Sequence, residues 1–150
     1  MPFAGETPTT FIELGFTGRS TALKGLRLSL TKPDVTTEYI QYRGHFAKTG
    51  WTGWTNGNTS VTSSNNDLQA VSIRLTGEFA NYFDIYYSAH VSHIGWMGWA
   101  KNGANAGTQG YGSDYPMESL RICLVRKGVT LEQAGDLETL VNESSPFLQK

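Results

Sequence analysis

The sequence predicts an all-β fold of three pseudo-repeats in a β-prism-like or β-trefoil-like arrangement, followed by a short C-terminal helix or arm. Three observations carry that prediction. One stretch occurs twice, at 45–57 (HFAKTGWTGWTNG) and 90–103 (HVSHIGWMGWAKNG), each a His, four residues, then Gly-Trp-x-Gly-Trp. His45 and His90, Gly50 and Gly95, Trp51 and Trp96, Gly53 and Gly98, and Trp54 and Trp99 all stand 45 residues apart, and these copies hold all 4 tryptophans. A fixed period of this size marks a repeat architecture, whose copies bury one another's apolar faces. An alternating apolar segment also recurs, at 23–30 (LKGLRLSL), 68–75 (LQAVSIRL) and 117–124 (MESLRICL). Finally, 17 glycines, many Thr, Ser and Asn, 7 tyrosines and 7 phenylalanines suit strands joined by tight turns. Closure around an internal three-fold axis follows, because an isolated repeat cannot cover its own edges.

Taken in order, 11–14 is a short apolar patch and 15–21 a turn-rich segment. The first alternating segment, 23–30, reads as a half-buried strand. Aligned with its two echoes it puts Leu26, Val71 and Leu120 in one column, Leu28, Ile73 and Ile122 in the next, and Leu30, Leu75 and Leu124 in a third. Arg27 and Arg121 share an outward position that reads as a solvated strand face. The first unit lacks the tryptophan half. The second and third units each open with a strand, 38–46 and 83–91, whose inner residues (Ile40, Tyr42, Gly44, Phe46 and Ile85, Tyr87, Ala89, Val91) alternate with outward ones that include His45 and His90.

Glycines at two of five positions in Gly-Trp-x-Gly-Trp argue against a helix. Residues three apart on a strand face opposite sides unless a bulge at Gly53 or Gly98 realigns them. This parity places Trp51 and Trp96 inward, in the structural core of the repeat, and Trp54 and Trp99 nearer the surface; recurrence with the repeat gives His45 and His90 a structural duty, tying the strand to the adjacent Trp loop. The Asn-Gly steps at 56–57 and 102–103 predict tight hairpins. From Val129 the pattern changes: Thr130 with Gln133 forms a capping box, and Leu131, Ala134, Leu137 and Val141 recur at helical spacing, the only helical signal in the chain. The division is therefore a repeat domain over 1–128 and a helix or arm over 129–150.

Composition narrows the function. With 12 basic and 13 acidic residues there is no clustered positive field for nucleic acid or an anionic membrane. Residues 1–10 lack a basic n-region and an apolar h-region, so no signal peptide is expected. Cys123, the one cysteine, leaves no disulfide framework and reads as a small buried hydrophobe. His90 and His93 have no acid at a recognisable metal spacing, and His45 recurs with its repeat, so no metal, cofactor or catalytic residue is expected. There is no Gly-x-Ser-x-Gly elbow, no phosphate cradle and no paired carboxylates. A non-enzyme is the expectation. For a binding role, Trp54 and Trp99 with Asn56, Asn58, Asn102 and Asn105 offer aromatic rings for a sugar's C–H face and amides for its hydroxyls.

The order Ile-x-Tyr-x-x-His-Phe/Val, Gly-Trp-x-x-Trp, Asn-Gly, a small-residue loop with Ala106-Gly107-Thr108, then a Leu-Arg-Ile-type strand resembles the clostridial hydrophobic W (ChW) repeat over roughly residues 11–127. The resemblance covers two full copies and one partial. It implies a tandem-repeat module of surface or secreted proteins of Gram-positive bacteria and of their phages, with a role in adhesion and no defined catalytic residues. Two uses fit: a recognition module for a bacterial surface polysaccharide or protein, displayed at a cell surface or on a phage particle, and a structural virion component such as a fibre or decoration subunit. In the second, the C-terminal arm contacts other virion subunits. A homo-oligomer is expected in either, because multivalency offsets weak single sites.

Overall fold

The computed structural model describes residues 9–15, 21–128 and 145–150, the first of these as backbone alone. The helix expected around 130–141 lies outside the described residues. Along the chain run β1 (Thr9–Gly15), β2 (Gly25–Leu26), β3 (Ile40–Phe46), β4 (Gly50–Trp51), β5 (Thr55–Asn56), β6 (Val61–Thr62) and β7 (Leu68–Leu75). A short helix α1 (Gly77–Tyr82) leads into β8 (Phe83–Val91), β9 (Gly95–Trp96), β10 (Ala100–Lys101), β11 (Asn105–Gln109), β12 (Met117–Arg126) and β13 (Phe147–Gln149). The described chain is thus mostly strand, as expected.

The strands form three sheets, and among the described residues none closes on itself. One has the order β1-β12-β8-β10, with β9 also on β8; the second runs β13-β11-β7-β3-β4, with β5 also on β3; β2 and β6 make the third. Each alternating strand is completed by a strand of a different unit: β2 by β6, β7 by β11 and β12 by β1, all antiparallel. The aligned columns pack together as one core. Leu26, Val71 and Leu120 are buried, as are Ile73 and Ile122, while Leu28, Leu30, Leu75 and Leu124 are partly buried against them.

Two tyrosines fasten the units at equivalent points. Tyr42 and Tyr87 are fully buried. The Tyr42 hydroxyl accepts from the Leu28 amide at 3.1 Å and donates to the Thr59 carbonyl at 2.5 Å. That of Tyr87, 45 residues on, donates to the Ala104 carbonyl. Burial pushes the Tyr87 phenol up to about 12, against an opposing pull from the backbone of Ile73 and Gly103.

Three expectations are corrected. The first alternating segment forms a ladder only at Gly25–Leu26. Beyond it the backbone is held by loops and side chains, since the Leu28 amide donates to Tyr42 and the Leu30 amide to Glu38. The missing tryptophan half leaves that segment no strand of its own unit to pair with. The Asn-Gly steps close turns but not hairpins: after Asn102 (φ 44°) and Gly103, the Gly103 amide donates to Ile73 of the second sheet, and β11 crosses there to pair with β7. Gly107 makes that crossing tight, because a Cβ there would lie 2.1 Å from the Gln69 carbonyl oxygen. The third correction is α1, a turn that sequence periodicity is too short to signal; Phe79 buries itself between the Tyr39 and Phe83 rings, at 4.9 and 5.9 Å.

Candidate functional site

The outward residues of β3 and β7 alternate with the core, so Gln41, Arg43 and His45 share a face with Ser72 and Arg74. After β3 the chain turns back through Lys48 (φ 71°) and Gly50 (φ 86°) into β4, which sets Trp51 opposite His45. The third unit repeats this turn with His93 (φ 67°) and Gly95 (φ 91°), setting Trp96 opposite His90. His93 is thereby a turn residue at the position of Lys48.

Each His is braced twice. Its ring packs edge-on against the tryptophan, at 5.3 Å for His45–Trp51 and 5.1 Å for His90–Trp96. Its Nδ1 meets a residue that the register skips: Gln69 lies at the irregularity opposite His45 and Phe46, Glu118 at the one opposite His90 and Val91. A bulge re-aims the extra side chain. His45 Nδ1 stands 3.1 Å from Gln69 Oε1, and His90 Nδ1 3.2 Å from Glu118 Oε1. Burial holds the His45 imidazole below its usual pKa, against the hydrogen bond to Gln69.

The tryptophans do not divide into an inner and an outer pair. All 4 are half-buried, and both of each unit gather on one guanidinium. Strand parity fails because the ladder breaks after Trp51 and Trp96, and the next paired strand begins only at Thr55 and Ala100. In the second unit the Arg43 guanidinium carbon lies 4.4 Å from the Trp51 ring centre and 5.1 Å from that of Trp54, and Arg74 extends the stack, 3.9 Å from Trp54. In the third, Arg121 lies 3.7 Å from Trp96 and 5.1 Å from Trp99. Arg121 is therefore half-buried under indoles, and not the solvated face its alternation suggested. Each such contact is worth about 0.5–2 kcal/mol.

The guanidinium reaches the two stacks from different strands. Arg43 stands on β3 opposite Ser72 on β7, whereas Ser88 stands on β8 opposite Arg121 on β12. Neighbours also differ. Asn105 of β11 flanks Ser72, and its Oδ1 accepts from Ser72 Oγ at 2.6 Å and from Arg43 Nη2 at 3.4 Å. Glu13 of β1 is the register partner of Arg121. Gly98 is buried, its amide donating to the Ser145 carbonyl at 3.1 Å, while Gly53 is exposed.

Residues 90–126 match the family model for Clostridial hydrophobic W. The chain carries a ChW repeat. That repeat starts at His90, takes in Trp96, Arg121 and Trp99, and ends with β12. No curated protein and no solved structure matches the chain significantly. Backbone bonds of this segment recur in the second unit: the Thr52 amide donates to Gly44 as that of Met97 does to Ala89, and Gly57 to Ile40 as Asn102 to Ile85.

The asparagines singled out in the sequence largely serve the fold. Asn56 Oδ1 accepts from Gln41 at 2.8 Å, Asn58 Oδ1 from Arg27 Nε at 3.1 Å, and Asn102 Oδ1 from the Ile85 amide at 2.8 Å while its Nδ2 donates to Asp84 at 2.9 Å. Asn58 lies with Arg27, whereas Asn105 bonds Arg43, Asn56 bonds Gln41 and Asn102 lines a cleft with Arg74. Arg74 joins them: its Nε donates to Gln41 at 2.9 Å, and it lines a cleft of about 230 Å³ with Leu75, Ala80, Phe83 and Asn102. Arg43, Arg74, Gln41, Gln69 and Glu118 are the residues that sequence reasoning missed.

Proposed function

We propose that this chain is a non-catalytic recognition module that binds a bacterial surface ligand, a polysaccharide or a surface protein, through the outward tryptophan–arginine stacks. The observation that carries the reading is the same stack built twice, from opposite strands, on the outer faces of two sheets. A stack needed for packing alone has no reason to lie on an outward face, where half-buried indole edges meet solvent. The ChW repeat at 90–126 supports an extracellular binding role. In this reading the second unit is a further ChW repeat and the first a partial one, in a prism-like ring. The completion of each alternating strand by another unit supports that ring. The ligand-binding set is Trp54 and Trp99 with Asn56, Asn102 and Asn105, and the protein works at a cell surface or on a phage particle as a homo-oligomer.

The test is retention of purified protein on intact Gram-positive cells and on protease-treated wall polysaccharide, for wild type and for Trp54→Ala with Trp99→Ala. Retention by the wild type and loss by the double variant, with circular dichroism unchanged, is the expected result. Absence of wild-type retention on both materials would overturn it. A second reading, a structural virion component, has its support in β13, the outermost strand of its sheet, whose outer edge pairs with no strand among the described residues and could take one from another subunit. The same pull-down with virion proteins in place of cells tests that reading.

A further inference from the structure

We infer that the second unit's stack is the principal ligand site and that its ligand is an anionic glycan, whose carboxylate or phosphate oxygens take Arg43 and Arg74 while its sugar ring enters the adjoining cleft. The inference rests on the recognition reading above and adds to it the unit that binds and the charge of what it binds.

Charge is the first argument. Asp67 holds Lys24, Glu78 holds Lys32, and Asp84 holds both Lys101 and Lys127. Arg43 and Arg74, both over the Trp54 ring, have no carboxylate within 4.0 Å among the described residues; their polar partners are the neutral amides of Asn105 and Gln41. Arg43 Nε is buried without an acceptor among those residues. Two cations gathered on one indole with no counter-charge favour an oxyanion, and the planar guanidinium fork suits carboxylate and phosphate alike. The third unit lacks this imbalance. Its two indoles share one guanidinium, that of Arg121, and Cys123 stands on β12 where the second unit has Arg74 on β7.

Access is the second argument. Ser145 seats the C-terminal segment on Gly98, whereas around Gly53 a Cβ would meet nothing within 4 Å, and Arg74 is exposed. Beside Arg74 the cleft of about 230 Å³ has three apolar walls, Leu75, Ala80 and Phe83, and one amide, Asn102. It is smaller than the pockets of about 300–1,000 Å³ that enclose drug-sized ligands. An apolar wall beside an amide and a guanidinium is the lining that an acidic sugar ring requires, with its C–H face, hydroxyls and anionic group each provided for.

The experiment is a titration of the full-length protein, followed by tryptophan fluorescence and calorimetry, with an oligogalacturonate, a glycerol-phosphate polymer and a neutral gluco-oligosaccharide of similar length. Binding to one or both anionic polymers, weakened by salt, is expected, and the polymer that binds identifies the oxyanion. Arg74→Gln should weaken that binding about tenfold, the loss of one charge-assisted hydrogen bond. Lys24→Gln, which removes the same charge elsewhere, should leave it within about twofold. Arg74 is exposed, so its variant folds, and unchanged circular dichroism checks this. Equal binding of the neutral oligosaccharide, or an Arg74→Gln affinity like wild type, overturns the inference and leaves surface recognition standing. Retention on cells without binding to either anionic polymer overturns it too. Failure of the wild type to bind cells or wall material would instead sink the recognition reading.

Discussion

The second and third units build the same stack of two indoles and a guanidinium, yet the arginine comes from the unit's first strand in one and from its last strand in the other. The serine opposite changes places with it. What the repeat preserves is therefore a position in space above a strand pair, not a residue at a position in the chain. The same holds at the histidine, where the bulged residue is an amide in one unit and a carboxylate in the other.

The largest break in this comparison should come at the bulge. Glu118 is 5% exposed with its Oε1 3.2 Å from His90 Nδ1, and stripping a buried polar group of its partner costs up to about 3 kcal/mol. Glu118→Ala should lower the unfolding free energy in urea by that amount, whereas Gln69→Ala, which deletes neutral hydrogen bonds, should cost about 1–2 kcal/mol. Equal losses would mean that the carboxylate and the amide brace their histidines alike. Next is the stack. Arg43→Ser should cost about 2 kcal/mol, and adding Ser72→Arg, which copies the third unit's arrangement, should restore more than half. A double variant no better than the single one would show that the strand of origin matters after all.

The core columns were legible because alternation within a strand and recurrence between units, 45 residues from Leu26 to Val71 and 49 from Val71 to Leu120, are both properties of sequence. Leu26, Val71 and Leu120 met in the core as their alignment required. The stack was not legible for the same reason: an offset of 45 sets Arg43 against Ser88, so the exchange across the strand pair reads as a mismatch. Arg121 looked solvated because alternation gives the face of a residue, and nothing local gives what will cover that face. Parity misplaced the tryptophans because it assumes an unbroken ladder, and the ladder breaks between them. The C-terminal strand could not be read either, since β13 exists only by pairing in parallel with β11.

A smaller effect is expected from His45 as pH changes. Burial holds His45 below its usual 6.5, so the unfolded chain takes up a proton before the folded one. Stability is then full above pH 6.5, declines as pH falls from there to the folded-state value, and levels off below it. The urea midpoint should fall between about pH 7.5 and about pH 5, and His45→Gln should flatten that fall. The smallest effect is expected at Arg27, which is exposed and bonded to exposed Asn58: Arg27→Ala should change stability by less than about 0.5 kcal/mol.

The completion of each alternating strand by a strand of another unit bears on how the protein comes apart. In a linear solenoid the end repeats fray first, because each touches a single neighbour. Here β6 lies on β2, β11 on β7, and β1, first in the chain, on β12 near its far end. Detaching any one unit strips two sheets at once, so no unit can melt as a separate step, and the described strands should unfold in a single all-or-none transition. Repeats that complete one another's sheets in this way are not interchangeable cassettes, and removing one strips strands from its neighbours.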